Sequence, residues 1–172
     1  LYTALEYKDG PIAIRYPKAS SEEFDHNLQA ELLPIGSWEV LQNGNDVAIL
    51  AVGPLTYLAL EAAEELKKLD ISCEVVNCRF IKPMDENYLE FMLEKFSSVL
   101  TIEEGVRSGG FGEGVLSWLS SNNYKGNSSI ISLPDKFVEH GPRDLLLEKW
   151  GINKEQIIKT VTSFKSSLKT EF

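Results

Sequence analysis

The residues best placed to do chemistry gather in TIEEGVRSGGFGEGV, residues 101–115, where two adjacent acids, Glu103 and Glu104, lead into a loop holding five glycines and one arginine, Arg107. A glycine-rich turn from a strand into a helix is a common pyrophosphate cradle, because free backbone N–H groups and the helix dipole favour an anion there. The spacing argues otherwise: Gly110, Gly112 and Gly114 read G-x-G-x-G without the third glycine at the dinucleotide offset, and no Gly-Lys-Ser/Thr closes a Walker loop. Glu103, Glu104 and Glu113 set three negative charges against Arg107, and each repulsion is worth roughly 1–4 kcal/mol at ~4 Å near a protein surface. The expected use is packing, with Gly109, Gly110 and Gly112 permitting positive φ and close backbone approach and Phe111 acting as an apolar plug against a neighbouring element or subunit. Glu103 and Glu104 point to opposite faces of a strand and make no dyad. One of them is expected to accept hydrogen bonds from the loop amides.

Arg15 is the next candidate. In PIAIRYPK it stands where a strand ends and the chain turns, and a guanidinium there can hold a phosphate or carboxylate with two hydrogen bonds or make a structural salt bridge. The residue types leave both uses open. His140, in PDKFVEHGPRD, lies between an acid and a Gly-Pro turn. No serine or cysteine nucleophile signature accompanies it, so a structural histidine bonded to backbone or carboxylate is expected rather than a general base. His26 is the only other histidine, which excludes a three-histidine metal site. Cys73 and Cys78 stand in an apolar, strand-like run without further ligands nearby, and fit reduced buried thiols.

The elements that position these residues follow from periodicity. LYTALEYKDGP starts inside a helical pattern, PIAIRYP reads as a short strand, and residues 18–35 form a polar linker. From residue 36 to the end, strands alternate with helices, the pattern of a three-layer, mainly parallel sheet with helices on both faces. SWEVLQ and DVAILAVG are strands joined by NGN, which suits a hairpin. A helix over 55–69 carries Leu55, Leu58, Ala59, Ala62, Leu66 and Leu69 at core spacing. SCEVVNCRF follows as a buried strand, then a helix capped by Asp85 and running through Phe96, then the strand SSVLTIEE. After the glycine loop come a helix around 115–119, the strand SIISLP, a helix over 143–150, and a last helix capped by Asn153 with Gln156 three residues on.

Composition bounds the function classes. The chain has 172 residues, 43% hydrophobic and 25% charged, enough for one globular domain with a small appendage. A net charge of -9 argues against a nucleic-acid partner, which needs clustered Lys and Arg. The longest apolar run is interrupted by Gly53 and Pro54 and is too broken to span a membrane. No signal core opens the chain, and its start inside a helical pattern suggests a piece of a longer protein.

Taken in order, DGPIAIRYPK, VAILAVGPLTYLALEAAEEL, VVNCRFIKPMD, TIEEGVRSGGFGEGV and LPDKFVEHGPRDLL resemble the C-terminal part of the 1-deoxy-D-xylulose-5-phosphate synthase family. RFIKPMD and EE-x4-GGFG alone resemble the wider transketolase group, including the β-subunits of 2-oxoacid dehydrogenases, whose assembly or small-molecule-binding domain is the alternative reading. The RYP motif with PD-x-F-x-x-HG points to the synthase. That family is similar to transketolase, with two thiamine-diphosphate-binding domains and a third α/β domain. It condenses pyruvate, with loss of carbon dioxide, onto glyceraldehyde 3-phosphate, using thiamine diphosphate and Mg2+. The resemblance implies that residues 1–17 end the second, pyrimidine-binding domain and that residues 36–172 are the transketolase C-terminal-like domain. It implies a homodimer in the cytoplasm, bacterial or plastid, and a role in isoprenoid and thiamine synthesis. The family's diphosphate and metal motif, its thiamine-activating glutamate and its active-site histidines are absent, so no cofactor is expected on this chain alone and no turnover. Arg15 matches the family's clamp on the substrate phosphate. The family usually reads RYPRG there, so Lys18 and Ala19 depart from the pattern. For Glu103, Glu104, Gly109, Gly110, Phe111, Gly112 and His140 the resemblance implies structural or intersubunit roles.

Overall fold

The computed structural model describes residues 1–17, 27 and 29–168, with residues 166–168 as backbone only. His26, Lys18, Ala19 and most of the expected linker lie outside the described residues.

Five strands form one sheet in the order β1-β3-β2-β4-β5: β1 (Glu39–Gln42), β2 (Val47–Ala51), β3 (Cys73–Asn77), β4 (Ser98–Val106) and β5 (Asn127–Leu133). All neighbours are parallel except β1, which runs antiparallel to β3 at the edge. Helices α2 (Leu55–Lys67), α3 (Glu86–Lys95), α4 (Phe111–Ser121), α5 (Arg143–Lys149) and α6 (Lys154–Leu168) alternate with or follow the strands, and a short α1 (Tyr2–Glu6) precedes them.

The sheet is covered on both faces, as a parallel sheet must be. Every residue of β2 is buried, and its side chains alternate. Val47, Ile49 and Ala51 join Val75, Leu100 and Ile102 under α2 and α6, where Leu55, Ala59, Ala62, Leu66, Ile157, Val161 and Phe164 close the layer. Ala48 and Leu50 join Val76 and Val99 under α3 and α4, against Trp38, Leu89, Met92, Phe111, Val115 and Leu119. The expected three-layer α/β architecture with a mainly parallel sheet is the architecture observed.

Four local expectations need correction. The NGN connection is not a hairpin, because β1 and β2 are separated by β3. The connection crosses the start of β3 instead: Asn45 and Asp46 both donate to the Ser72 carbonyl (3.1 and 2.8 Å), and Gly44 lies so close that a Cβ there would stand 2.1 Å from the Cys73 carbonyl carbon. Residues 11–17 are exposed, apart from half-buried Pro17, and make no strand, since no partner strand runs beside them among the described residues. Leu69 lies beyond the end of α2, where Asp70 turns the chain with φ +56°, and is 54% exposed. The helix expected around 115–119 begins earlier, at Phe111, so Gly112 and Gly114 are helical residues.

Asp85 caps α3 by accepting from the Tyr88 N–H (3.0 Å), and its other oxygen accepts from the Trp38 N–H (2.7 Å). The same helix covers a buried charge that interrupts β3. Glu74 is 1% exposed, accepts from the Tyr88 hydroxyl (2.9 Å) and pairs with Lys95 (2.6 Å).

Candidate functional site

The carboxyl ends of β4 and β5 hold most of the sequence-level candidates, as open α/β sheets place their working residues. β4 is the longest strand. Its last residues leave the regular ladder between Ile102 and Val106 before Val106 pairs again with Leu133. Glu103 and Glu104 fall in that irregular stretch and part ways, as adjacent strand residues should.

Glu103 turns inward and is 4% exposed. Its carboxylate accepts the N–H of Phe111 (3.0 Å) and of Gly112 (2.7 Å), the first amides of α4. A helix leaves its first amides unpaired, and a carboxylate satisfies them and the positive end of the dipole together. The position where a nucleotide phosphate would bind is therefore taken by the protein's own anion. The glycines make this approach possible. Gly109 adopts φ +69°, and a Cβ on Gly110 or Gly112 would stand 2.7 Å from Glu103 Oε1 or 2.5 Å from Thr101 Oγ1 respectively. Phe111, 5% exposed, packs edge-on against Trp38 with centroids 5.7 Å apart. It plugs the domain's own core.

Glu104 turns the other way. Its two oxygens accept from Nε (3.0 Å) and Nη2 of Arg143, a two-point ion pair that ties the end of β4 to the first residue of α5. Donating these hydrogen bonds to Glu104 holds the Arg143 guanidinium above its ordinary pKa. Arg143 was not singled out by residue type, although it lies inside the quoted segment PDKFVEHGPRD. The available signal was an arginine at the start of a helix that follows a strand ending in two acids.

His140 is exposed in the segment between β5 and α5, three residues before Arg143, and donates or accepts no hydrogen bond with a described residue. Arg15 is exposed on the extended segment after α1 and makes no ion pair among the described residues. The structure thus brings Glu103, Glu104, Gly109, Gly110, Phe111 and Gly112 into one cluster, sets His140 in the nearby loop, and shows no contact between Arg15 and that cluster.

Beside the cluster, the ends of β4 and β5 frame a surface cavity of about 430 Å³. Arg107, Ser108, Glu113, Ile130, Ser132, Leu133, Pro134, Asp135 and Trp150 line it. The two thiols lie elsewhere and are buried, which pushes Cys73 up to about 12 and raises Cys78 well above its ordinary value. Among the described residues no group of three or more His, Cys, Asp or Glu side chains is placed to hold a metal ion. Among those residues no helix is long and apolar enough to cross a membrane.

Over residues 36–157 the chain matches the family described as "Transketolase, C-terminal domain". Similar curated proteins include "1-deoxy-D-xylulose-5-phosphate synthase" from Bacillus cereus (strain AH187) and from Bacillus anthracis (strain A0248), each 43% identical over 164 residues. The match takes in 94% of this chain and 26% of each relative, so the chain spans about a quarter of their length. A solved structure described as "Split gene transketolase, inactive beta4 tetramer" is 32% identical with a TM-score of 0.73, over 83% of this chain and 46% of that one.

Proposed function

The chain belongs to the transketolase C-terminal-domain family, and from that premise we propose that it is the C-terminal part of a 1-deoxy-D-xylulose-5-phosphate synthase. The observation that carries the reading is the 43% identity to such synthases across 94% of the chain. That span of 164 residues reaches beyond residues 36–157, where the chain matches the transketolase C-terminal-domain family.

In this reading the whole enzyme joins pyruvate, with loss of carbon dioxide, to glyceraldehyde 3-phosphate. Thiamine diphosphate, held with Mg2+ by the other domains, supplies the carbanion chemistry. The residues described here do not fit that cofactor: the first amides of α4 are filled by Glu103, and no acidic or histidine cluster is built for the metal. No step of the reaction is therefore assigned to this chain's residues 36–168. Their proposed work is structural, in a cytoplasmic homodimer.

Residues 1–17 are proposed to end the preceding domain. Their apolar side chains support this: Leu1, Leu5, Ile14 and Tyr16 are all exposed, Tyr16 at 85%, and such a set requires cover from outside the described residues. Arg15, in the same segment and without an ion pair among the described residues, is proposed to bind the substrate phosphate. Its guanidinium would make charge-assisted hydrogen bonds to two phosphate oxygens.

The test is kinetic and uses the intact enzyme. Arg15→Ala should raise the Michaelis constant for glyceraldehyde 3-phosphate by about tenfold or more, the size of one or two lost charge-assisted hydrogen bonds. The constant for pyruvate should stay nearly unchanged. Equal effects on both substrates would remove the phosphate role. A chain of residues 1–172 that turned over by itself would overturn the structural assignment of residues 36–168.

A further inference from the structure

The cavity at the ends of β4 and β5 is not used by the reading above, and its lining has a specific chemistry. We infer that it binds a small zwitterion with an apolar side group, of which an aromatic α-amino acid is the simplest. The inference stands independently of the synthase reading, because it concerns only residues 107–150 of this chain.

The cavity is made by backbone pairing that fixes its walls. The Arg107 N–H donates to the Leu133 carbonyl (3.1 Å), and the Gly110 N–H donates to the Arg107 carbonyl (3.2 Å). These bonds lock the turn after β4 against the end of β5. Arg107 and Ser108 thereby share one lining with Ser132, Pro134 and Asp135. The volume of about 430 Å³ lies within the usual small-molecule range of roughly 300–1,000 Å³.

The charges in the wall select the ligand. Glu113 is already engaged, accepting the Gly109 N–H at 2.6 Å. Lys136 next door lies over the Trp150 ring, 4.3 Å from its centroid. That leaves Arg107 and Asp135, neither of which makes an ion pair among the described residues. One free guanidinium and one free carboxylate in the same lining fit a ligand that carries both charges. An anion alone would leave Asp135 without a partner, and a cation alone would leave Arg107 without one. The remainder of the wall, Ile130, Leu133, Pro134 and Trp150, is apolar and suits a hydrophobic side group, while Ser108 and Ser132 offer hydroxyls. In the bound form the ligand carboxylate pairs with Arg107, where a planar guanidinium makes two parallel hydrogen bonds. The ligand ammonium pairs with Asp135.

Calorimetry on the 172-residue chain with three probes tests this. Phenylalanine carries both charges, 3-phenylpropionate only the negative one and phenylalaninamide only the positive one. Phenylalanine should bind about tenfold or more tightly than either analogue, as expected for one charge-assisted pair gained. Arg107→Gln should remove that advantage over phenylalaninamide, and Asp135→Asn the advantage over 3-phenylpropionate. Both side chains are exposed, so circular dichroism should report an unchanged fold. Equal binding of the three probes, or a Kd for phenylalanine above about 10 mM, would overturn the proposal. Binding of inorganic phosphate that is lost in Arg107→Gln would overturn it in favour of an anion site.

Discussion

Two glycines in the first turn of α4, Gly112 and Gly114, show how differently one residue type can be held. Replacing either with alanine offers the helix about 1 kcal/mol of intrinsic propensity, and only the surroundings decide whether that gain survives. A Cβ on Gly112 would stand 2.5 Å from Thr101 Oγ1 and 2.8 Å from Ile130 Cγ2, both inside the packed layer between α4 and the sheet. Overpacking of that kind costs typically 1–3 kcal/mol, and the two amides bonded to Glu103 would be pushed out of line with it. A Cβ on Gly114 would meet only Met84 Sδ at 4.0 Å. Gly112→Ala should therefore destabilise the fold by about 1–2 kcal/mol net, and Gly114→Ala should stabilise it by about 0.5–1 kcal/mol. Urea unfolding of the two variants against the parent measures both. The same sign for the two substitutions would mean that close packing is not what the first of these glycines provides. The Glu103 cap belongs to the same scale. Its role followed from an acid placed before a glycine turn, but which of the two adjacent acids caps could be settled only by the irregularity in β4.

At the scale of elements, most helices and strands were legible because their periods were clean. The core face of α2, the Asp85 cap of α3 and the Asn153 cap of α6, whose side chain accepts the Gln156 N–H at 2.9 Å, were all read from spacing. What was not legible was pairing. NGN has the residues of a tight hairpin, yet β1 crosses to the far side of β3, since local turn chemistry carries no information about which strand a third element will insert beside. The buried acid of β3 was hidden for a related reason: Glu74 stands in a run of apolar residues, and its partners Tyr88 and Lys95 come from a helix fourteen and twenty-one residues on. Removing one partner from a buried pair leaves an uncompensated charge and commonly costs 3–5 kcal/mol, whereas replacing both with apolar residues is often neutral. Lys95 is 25% exposed in its side chain, so water offsets part of the loss. Lys95→Met alone should cost about 2–3 kcal/mol, and Glu74→Leu combined with Lys95→Met should recover most of that. A double variant no more stable than the single one would show that Glu74 tolerates its burial through the Tyr88 hydroxyl alone.

Across the whole molecule, the two layers of core are reported by two thiols, one on each side of the sheet. Cys73 lies with the residues under α2 and α6, and Cys78 with those under α3 and α4. Burial raises both, Cys73 from an ordinary value of 9.0 to about 12 and Cys78 well above that ordinary value, with Asp46 and Asp85 adding to the respective shifts. A thiol is neutral when protonated, so a raised value means that the folded state keeps a proton that the unfolded chain gives up. Below about pH 8 both states hold these protons and the thiols leave stability independent of pH. Above about pH 9 the unfolded chain loses them first, and stability falls by up to about 1.4 kcal/mol per pH unit for each thiol. For Cys73 this loss continues until pH reaches about 12. Tyr124, raised by burial from 10.0 to about 12, adds its own loss only above its ordinary value, so the interval between about pH 9 and 10 isolates the thiols. Replacing both cysteines with alanine lowers stability at every pH by the volume removed, but it should flatten the fall across that interval. Thermal unfolding of the parent and the double variant at about pH 8, 9 and 10 reads the difference in slope. Parallel falls in Tm would assign the alkaline loss to groups outside the two core layers.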